Sequence, residues 1–249
     1  MTFDPVNDVK LSPIRAPKNS DLLARELRRR ILDGALEPGM ALPAERELMA
    51  QTGLSRGSVR EALRILETES LVRTKPGRLG GSVASRPDDQ SMQRSVSLFV
   101  GGRGITLLSL LQTREAVEPS LAALAAQNRT DAELTNLVDV TRRVEDAFSD
   151  VPRFLRENVN WHCAIADASH NELLRAFMLS ISNLVYKASA IENFATDEVR
   201  QAVIKSHRQI LAAISNKEPD AARRRMARNL AALTAACKEF PNAPLVIEV

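Results

Sequence analysis

Gly53–Glu69 reads GLSRGSVREALRILETE, and its two interleaved periodicities decide what the segment is. Val59, Ala62, Leu63 and Leu66 fall at i, i+3, i+4 and i+7, the single apolar stripe of an amphipathic helix. Arg56, Arg60 and Arg64 recur every four residues, which stacks three guanidinium groups on another face. Ser55 precedes the first turn as an N-cap, and Gly53 tolerates the left-handed exit that ends a preceding helix sharply. Three arginines on an isolated helix are usually only solvated surface. What flanks them decides otherwise.

Upstream, Asp21–Asp33 predicts a helix with Leu23, Leu27 and Ile31 on one face and Gly34 as its stop. A turn follows at Glu37-Pro38-Gly39, and Pro43 opens a second helix with Glu45 in its first turn, where negative charge suits the helix dipole. Downstream, Leu71–Thr74 and Ser82–Ala84 read as short strands on either side of the basic, glycine-rich loop Lys75-Pro76-Gly77-Arg78-Leu79-Gly80-Gly81. Three helices and a hairpin within about 65 residues outline a winged helix-turn-helix. In that arrangement Arg56 and Arg60, nearest the N-terminus of the third helix, enter the DNA major groove first. The arginine fork matches the two acceptors of guanine or a pair of phosphate oxygens. Ser58 and the amides of the first turn suit a phosphate, and the glycine-rich loop suits the adjacent minor groove. Seven basic residues against three acidic ones between Ser55 and Arg86 supply the local charge surplus that phosphate contact requires.

The whole chain predicts a mainly α protein: a winged helix-turn-helix at 20–86 with a small β-hairpin wing, then an all-α antiparallel helical bundle at 105–240. Residues 1–19 read as a flexible arm, 87–104 as a linker by composition, and 241–249 as a tail. The bundle helices are expected at 106–127, 130–148, 151–168, 171–190, 196–215 and 218–239, joined by loops short enough to make sequential helices antiparallel neighbours. Met1–Asn19 is polar and contains three prolines, unlike a signal peptide. No apolar run approaches the ~20 residues of a membrane helix. A cytoplasmic protein is expected, with Cys163 and Cys237 as reduced, buried thiols.

Within the bundle, Asn158 and His162 are i and i+4 and so share a helix face. His207 follows on a later helix, and Asn229 stands on the last one. Trp161 and Ile165 are offset from this face and serve packing. Arg114 lies beside Leu110, Leu111 and Val117, where a buried guanidinium needs an anionic partner, either Glu118 at i+4 or the carboxylate of a ligand.

The ordered run from Leu42-Pro43-Ala44-Glu45-Arg46-Glu47-Leu48 through Gly53–Leu63 to Leu71-Val72 resembles the DNA-binding domain of the GntR family of bacterial regulators. Arg114–Pro119, Asn158–His162, Asn171, His207 and Met226–Leu230 resemble the FadR-type ligand-binding domain of the same family, with looser motifs. The resemblance implies DNA contacts from Arg46, Ser55, Arg56, Ser58 and Arg60, with Gly77 in the wing. It departs at Gly57, often a threonine in the family, and at Glu69-Ser70, where a glycine is usual. For the bundle it implies an effector site at Arg114, Asn158, His162, His207 and Asn229 for a small organic acid. It also implies a divalent metal, Zn or Ni, at His162 and His207. In metal-binding members an aspartate and a histidine occupy the places of Asn158 and Asn229, which here are weak or outer ligands at best. Two readings of the four residues therefore stand beside that of satisfied core polar groups: a metal completed by an anionic effector, or direct hydrogen bonding to an organic ligand.

These expectations converge on a transcription regulator, a repressor acting as a homodimer on double-stranded operator DNA under effector control. No nucleophile motif or general base accompanies the histidines to favour a metal-dependent enzyme. A constitutive DNA-binding protein is the remaining alternative.

Overall fold

In the computed structural model the described residues are 17–75, 81–189 and 195–237. The arm and tail expected at the ends, and the wing tip with Gly77, fall largely or wholly outside them. The chain forms two compact units, 1–88 and 89–249.

The first unit contains α1 (Asn19–Leu32), α2 (Glu45–Thr52), α3 (Arg56–Thr68), β1 (Val72–Lys75) and β2 (Gly81–Ala84). The apolar stripe of α3 is fully inside: Val59, Ala62, Leu63 and Leu66 pack with Leu23, Leu27 and Ile31 of α1 and Leu48 of α2. Valine and leucine side chains contribute roughly 1.5–3 kcal/mol each when fully buried, so Val59, Leu63 and Leu66 anchor the helix. The two strands are antiparallel, with Val72 opposite Ala84 and Lys75 opposite Gly81. The chain before α2 adds a bridge at Ala41–Val83, and the Leu42 N–H donates to the Ser82 carbonyl at 2.9 Å. Pairing to both flanks of α2 and α3 thus fixes where the hairpin stands.

Helix α2 ends at Gly53, which has φ +69°. Helix α3 ends differently. The Leu71 N–H donates to the Leu66 carbonyl and the Ser70 N–H to the Glu67 carbonyl, at 2.9 and 3.0 Å. This is the two-bond Schellman closure, whose pivot residue must be left-handed. Ser70 is that pivot, at φ +60°, so the departure from a glycine costs backbone energy and changes no topology.

The second unit holds α4 (Asp89–Arg103), α5 (Leu107–Asn128), α6 (Asp131–Asp146), α7 (Val151–Ala168), α8 (Glu172–Ser189), α9 (Asp197–Ser215) and α10 (Pro219–Cys237). Their starts are marked by side-chain caps. Thr106, Thr130, Asp150 and Thr196 each accept an N–H from the first turn, and the Asn171 Oδ1 accepts from Leu174 N–H at 3.0 Å. Helix α5 runs through the middle. It packs along α10 most extensively and also meets α7, α8 and α9, so its dominant partner is the last helix rather than its neighbour in sequence.

The linker expected at 87–104 is corrected by α4. Polar residues and Gly101-Gly102 disguise it in composition, but it packs along α8, burying Val100 and half-burying Val96. The Arg175 guanidinium secures its start, holding Asp89 at 3.0 Å and Asp167 of α7 at 2.6 Å. Tertiary packing supplies what a helix of weak propensity lacks alone. Among the described residues no helix is long and apolar enough to cross a membrane.

Replacing Ser70 with glycine removes a left-handed cost of about 1–2 kcal/mol, offset by glycine's ~0.5–1 kcal/mol entropic penalty. Ser70→Gly is therefore expected to stabilise the first unit by up to about 1 kcal/mol in a urea titration, and a destabilised variant would contradict the strain at this turn.

Candidate functional site

Two sets of residues carry chemistry, one in each unit. In the first, Ser55 caps α3, its Oγ accepting from the Ser58 N–H at 3.3 Å and lying 3.1 Å from the Ser58 hydroxyl. The cap therefore engages Ser58 within the helix terminus. Arg56, Arg60 and Arg64 are all exposed, as is Arg46 on α2, because the apolar stripe has taken the opposite face inward. Arg60 Nε stands 3.3 Å from the Glu45 carboxylate, with both side chains open to solvent. Exposed pairs of this kind are worth at most about 1 kcal/mol, so Arg60 can exchange Glu45 for a phosphate or a base at little cost. Between α3 and the hairpin lies a cleft of about 510 Å³ that includes Arg60, Arg64, Thr74 and Lys75 on its walls. Gly77 lies outside the described residues. At Gly57 an added Cβ would meet only Ser55 Oγ, at 3.9 Å, so packing does not demand the glycine that replaces the family's threonine.

In the second unit Arg114 and Glu118 are buried together on α5, at 1% and 2% exposure. Arg114 Nε donates to Glu118 Oε1, and the other carboxylate oxygen lies 2.5 Å from His162 Nδ1 on α7, without the alignment of a hydrogen bond. His207 of α9 is fully buried. Its ring lies flat on Trp161, centroids 3.6 Å apart and planes 2° from parallel, and its centroid is 5.5 Å from that of His162. Trp161 is held in turn by its Nε1–H, which donates to Thr141 Oγ1 of α6 at 2.8 Å.

Burial opposes the charge on Glu118, but Arg114 and His162 outweigh it and hold the carboxyl down at about 2. Burial lowers His162 despite the pull of Glu118. It lowers His207 further, helped by His162 and the Arg114 charge. Both imidazoles are therefore neutral at pH 7. Arg114 Nη2, Asn158 Oδ1 and both nitrogens of His207 are buried without a hydrogen-bond partner. Buried polar atoms are almost always paired, so a concentration of orphans in one core makes it the candidate ligand site of this unit.

Asn158 stands one turn before His162 on α7, with its Oδ1 buried and unpaired. Asn229 is half-buried on α10. Trp161 was legible as a packing residue but not as the platform beneath His207, since nothing in the sequence brings α7 and α9 together. Glu118 was legible at i+4 from Arg114; its second contact, to His162, was not. Elsewhere, burial pushes the Cys163 thiol up to about 12, leaving it inert, and the Cys237 side chain is outside the described set.

Residues 19–79 match the family described as bacterial regulatory proteins, gntR family, and residues 109–232 match the FCD domain. Over 232 residues the chain is 31% identical to a regulatory protein assigned to the L-lactate dehydrogenase operon of Escherichia coli (strain K12), covering 89% of this chain and 87% of the relative. The chain belongs to the GntR family. It is also 28% identical over 231 residues to the HTH-type transcriptional repressor NanR of Citrobacter rodentium (strain ICC168), covering 90% and 86%. Among solved structures it is similar to a Streptococcus agalactiae GntR, with a TM-score of 0.68 and 25% identity over 87% of this chain and 99% of that one. As a GntR-family protein with an FCD domain it is a DNA-binding transcription regulator and not an enzyme.

FCD domains can bind metal, and the donor set here can be tested against that. Two neutral imidazoles are available, one packed flat on Trp161, and Asn158 offers only an uncharged oxygen. The one nearby carboxylate is taken by Arg114, whose positive charge opposes a cation. Among the described residues no three His, Cys, Asp or Glu side chains are grouped to hold an ion. As arranged here, the residues do not fit a resident divalent metal of the kind expected at His162 and His207.

Glu118 is the compensating charge for a guanidinium that water does not reach. Glu118→Gln should destabilise the second unit by about 3–5 kcal/mol at pH 7, read by chemical denaturation. Because the folded carboxyl is held low, its contribution is complete above the unfolded value near 4.5 and fades as pH falls toward about 2. That acid-dependent segment should flatten in the variant; an unchanged profile would count against the buried pair.

Proposed function

We propose that this GntR-family regulator is a repressor that binds a palindromic operator as a homodimer and releases it when a small organic acid enters the second unit. The observation that carries the DNA-reading half is the division of α3, with four aliphatic residues inward and Arg56, Arg60 and Arg64 outward. The orphaned polar atoms around Arg114 and His207 support the sensing half. The FadR-type subgroup fits the pairing of this helical domain with the winged helix, and a cytoplasmic site of action fits an operator-binding role.

One winged helix reads only a few base pairs, so useful specificity requires two copies on paired half-sites. Arg56 and Arg60 read or clamp the duplex at the start of α3, and Arg46, Ser55 and Ser58 position the helix against phosphate. The wing carries Lys75 and Gly77 toward the adjacent groove. Ligand binding acts on the operator by differential affinity for the two states, typically 1–3 kcal/mol. Effector binding changes the angle or spacing of the two DNA-binding units of the dimer through the segment near residues 86–104. The repressor sense follows the named repressors among the relatives.

Arg60→Ala should weaken specific operator binding by ~1–3 kcal/mol and make the salt dependence shallower; fluorescence anisotropy showing unchanged affinity would mean α3 does not read DNA. In the same assay, titration with organic acids should release the operator about 5- to 150-fold. A complete lack of response would reduce the protein to a constitutive DNA binder.

A further inference from the structure

Resting on the reading of α3 as the DNA-contacting helix, we infer that Glu45 is a positioning residue that commits Arg60 to guanine and leaves phosphate to the arginines around it. Arg46, Arg56, Arg60 and Arg64 are all exposed on α2 and α3, but they are not equivalent. Of the four, only Arg60 is in an ion pair among the described residues, its Nε 3.3 Å from Glu45 Oε1. Glu45 is free for this role. It is the first residue of α2, where the helix dipole favours a negative charge, yet the backbone there is capped by Glu47, whose Oε2 accepts from the Ala44 N–H at 3.1 Å. Glu45 and Arg60 both line the cleft between α3 and the hairpin, so the carboxylate stands on the face that a duplex meets.

The pair bears differently on the two things an arginine can hold. A guanidinium offers its N–H donors in a planar fork. With Nε facing Glu45, the two terminal nitrogens remain for the O6 and N7 of guanine, and the base edge brings no net charge. A phosphate must share the guanidinium with a second anion or displace it. Giving up the exposed pair costs no more than about fivefold in affinity, but the carboxylate left behind then repels the phosphate. The base contact requires neither. The pair also restricts a long side chain before DNA arrives, which lowers the ordering cost of the contact. Arg46, Arg56 and Arg64 carry no such carboxylate and suit phosphate.

The full-length protein is first used to select duplexes from a random library, and the selected site is then varied base by base in fluorescence anisotropy. Guanine should be preferred by about 5- to 150-fold at one position of each half-site. Arg60→Ala should abolish that preference, whereas Arg56→Ala should weaken binding and keep it. Glu45→Gln, similar in size but uncharged, should cut the same preference several-fold. It should also tighten binding to an unrelated duplex about fivefold, with a steeper salt dependence, as Arg60 is released to phosphate. In the Arg60→Ala background Glu45→Gln should produce neither change, and the urea midpoint of each variant controls for folding. A guanine preference untouched by Glu45→Gln, or the same gain on unrelated DNA with Arg60 absent, overturns the inference, since Glu45 is then only one more surface charge. If Arg60→Ala weakens every sequence alike, α3 still binds DNA and this assignment of roles falls. If neither arginine variant alters binding, the reading of α3 fails and takes the inference with it.

Discussion

A guanidinium sealed inside a helical domain dictates much of what surrounds it. Arg114 is 1% exposed, and an isolated charge there would cost many kcal/mol. Glu118, one turn on along α5, compensates it and is thereby held ionised at neutral pH. The same carboxylate draws in the His162 ring, and the net positive edge of Arg114 helps keep both histidines neutral. Burial keeps both histidines neutral, so the Arg114–Glu118 pair holds the only full charges of this cluster.

The first unit rests on a simpler constraint. Helix α3 has one apolar stripe and must bury it, so its arginines are forced outward together. The cap at Ser55, the sharp turn at Gly53 and the hairpin pinned by the Ala41–Val83 bridge then hold the exposed face in a defined place. Nothing in the guanidinium groups themselves positions them. The aliphatic side of the helix does that work, and the DNA-reading face is its by-product.

Family membership gives an ancestry for both units, but the residues modify what is inherited. Ser70 occupies a left-handed turn that glycine would adopt freely, a cost local to one loop. The asparagine at 158 is more consequential. An amide in place of a carboxylate removes the charge a cation needs while keeping a hydrogen-bond acceptor.

Local rules made most of the fold legible. Apolar periodicity and short polar breaks placed every helix from α5 to α10 within two residues or so, because each of those signals acts over a few turns. The same rules read the outward arginines of α3, since both of its stripes are written in one segment. Helix α4 escaped them: its polar, glycine-containing sequence has no strong stripe of its own, and only α8 and the Arg175 clamp make it helical. The sensor core was half legible. Arg114 with Glu118, and Asn158 with His162, are i, i+4 pairs that the sequence determines alone. The stacking of His207 on Trp161 and the approach of His162 to Glu118 were decided by tertiary packing, because they depend on how helices distant in sequence are brought side by side.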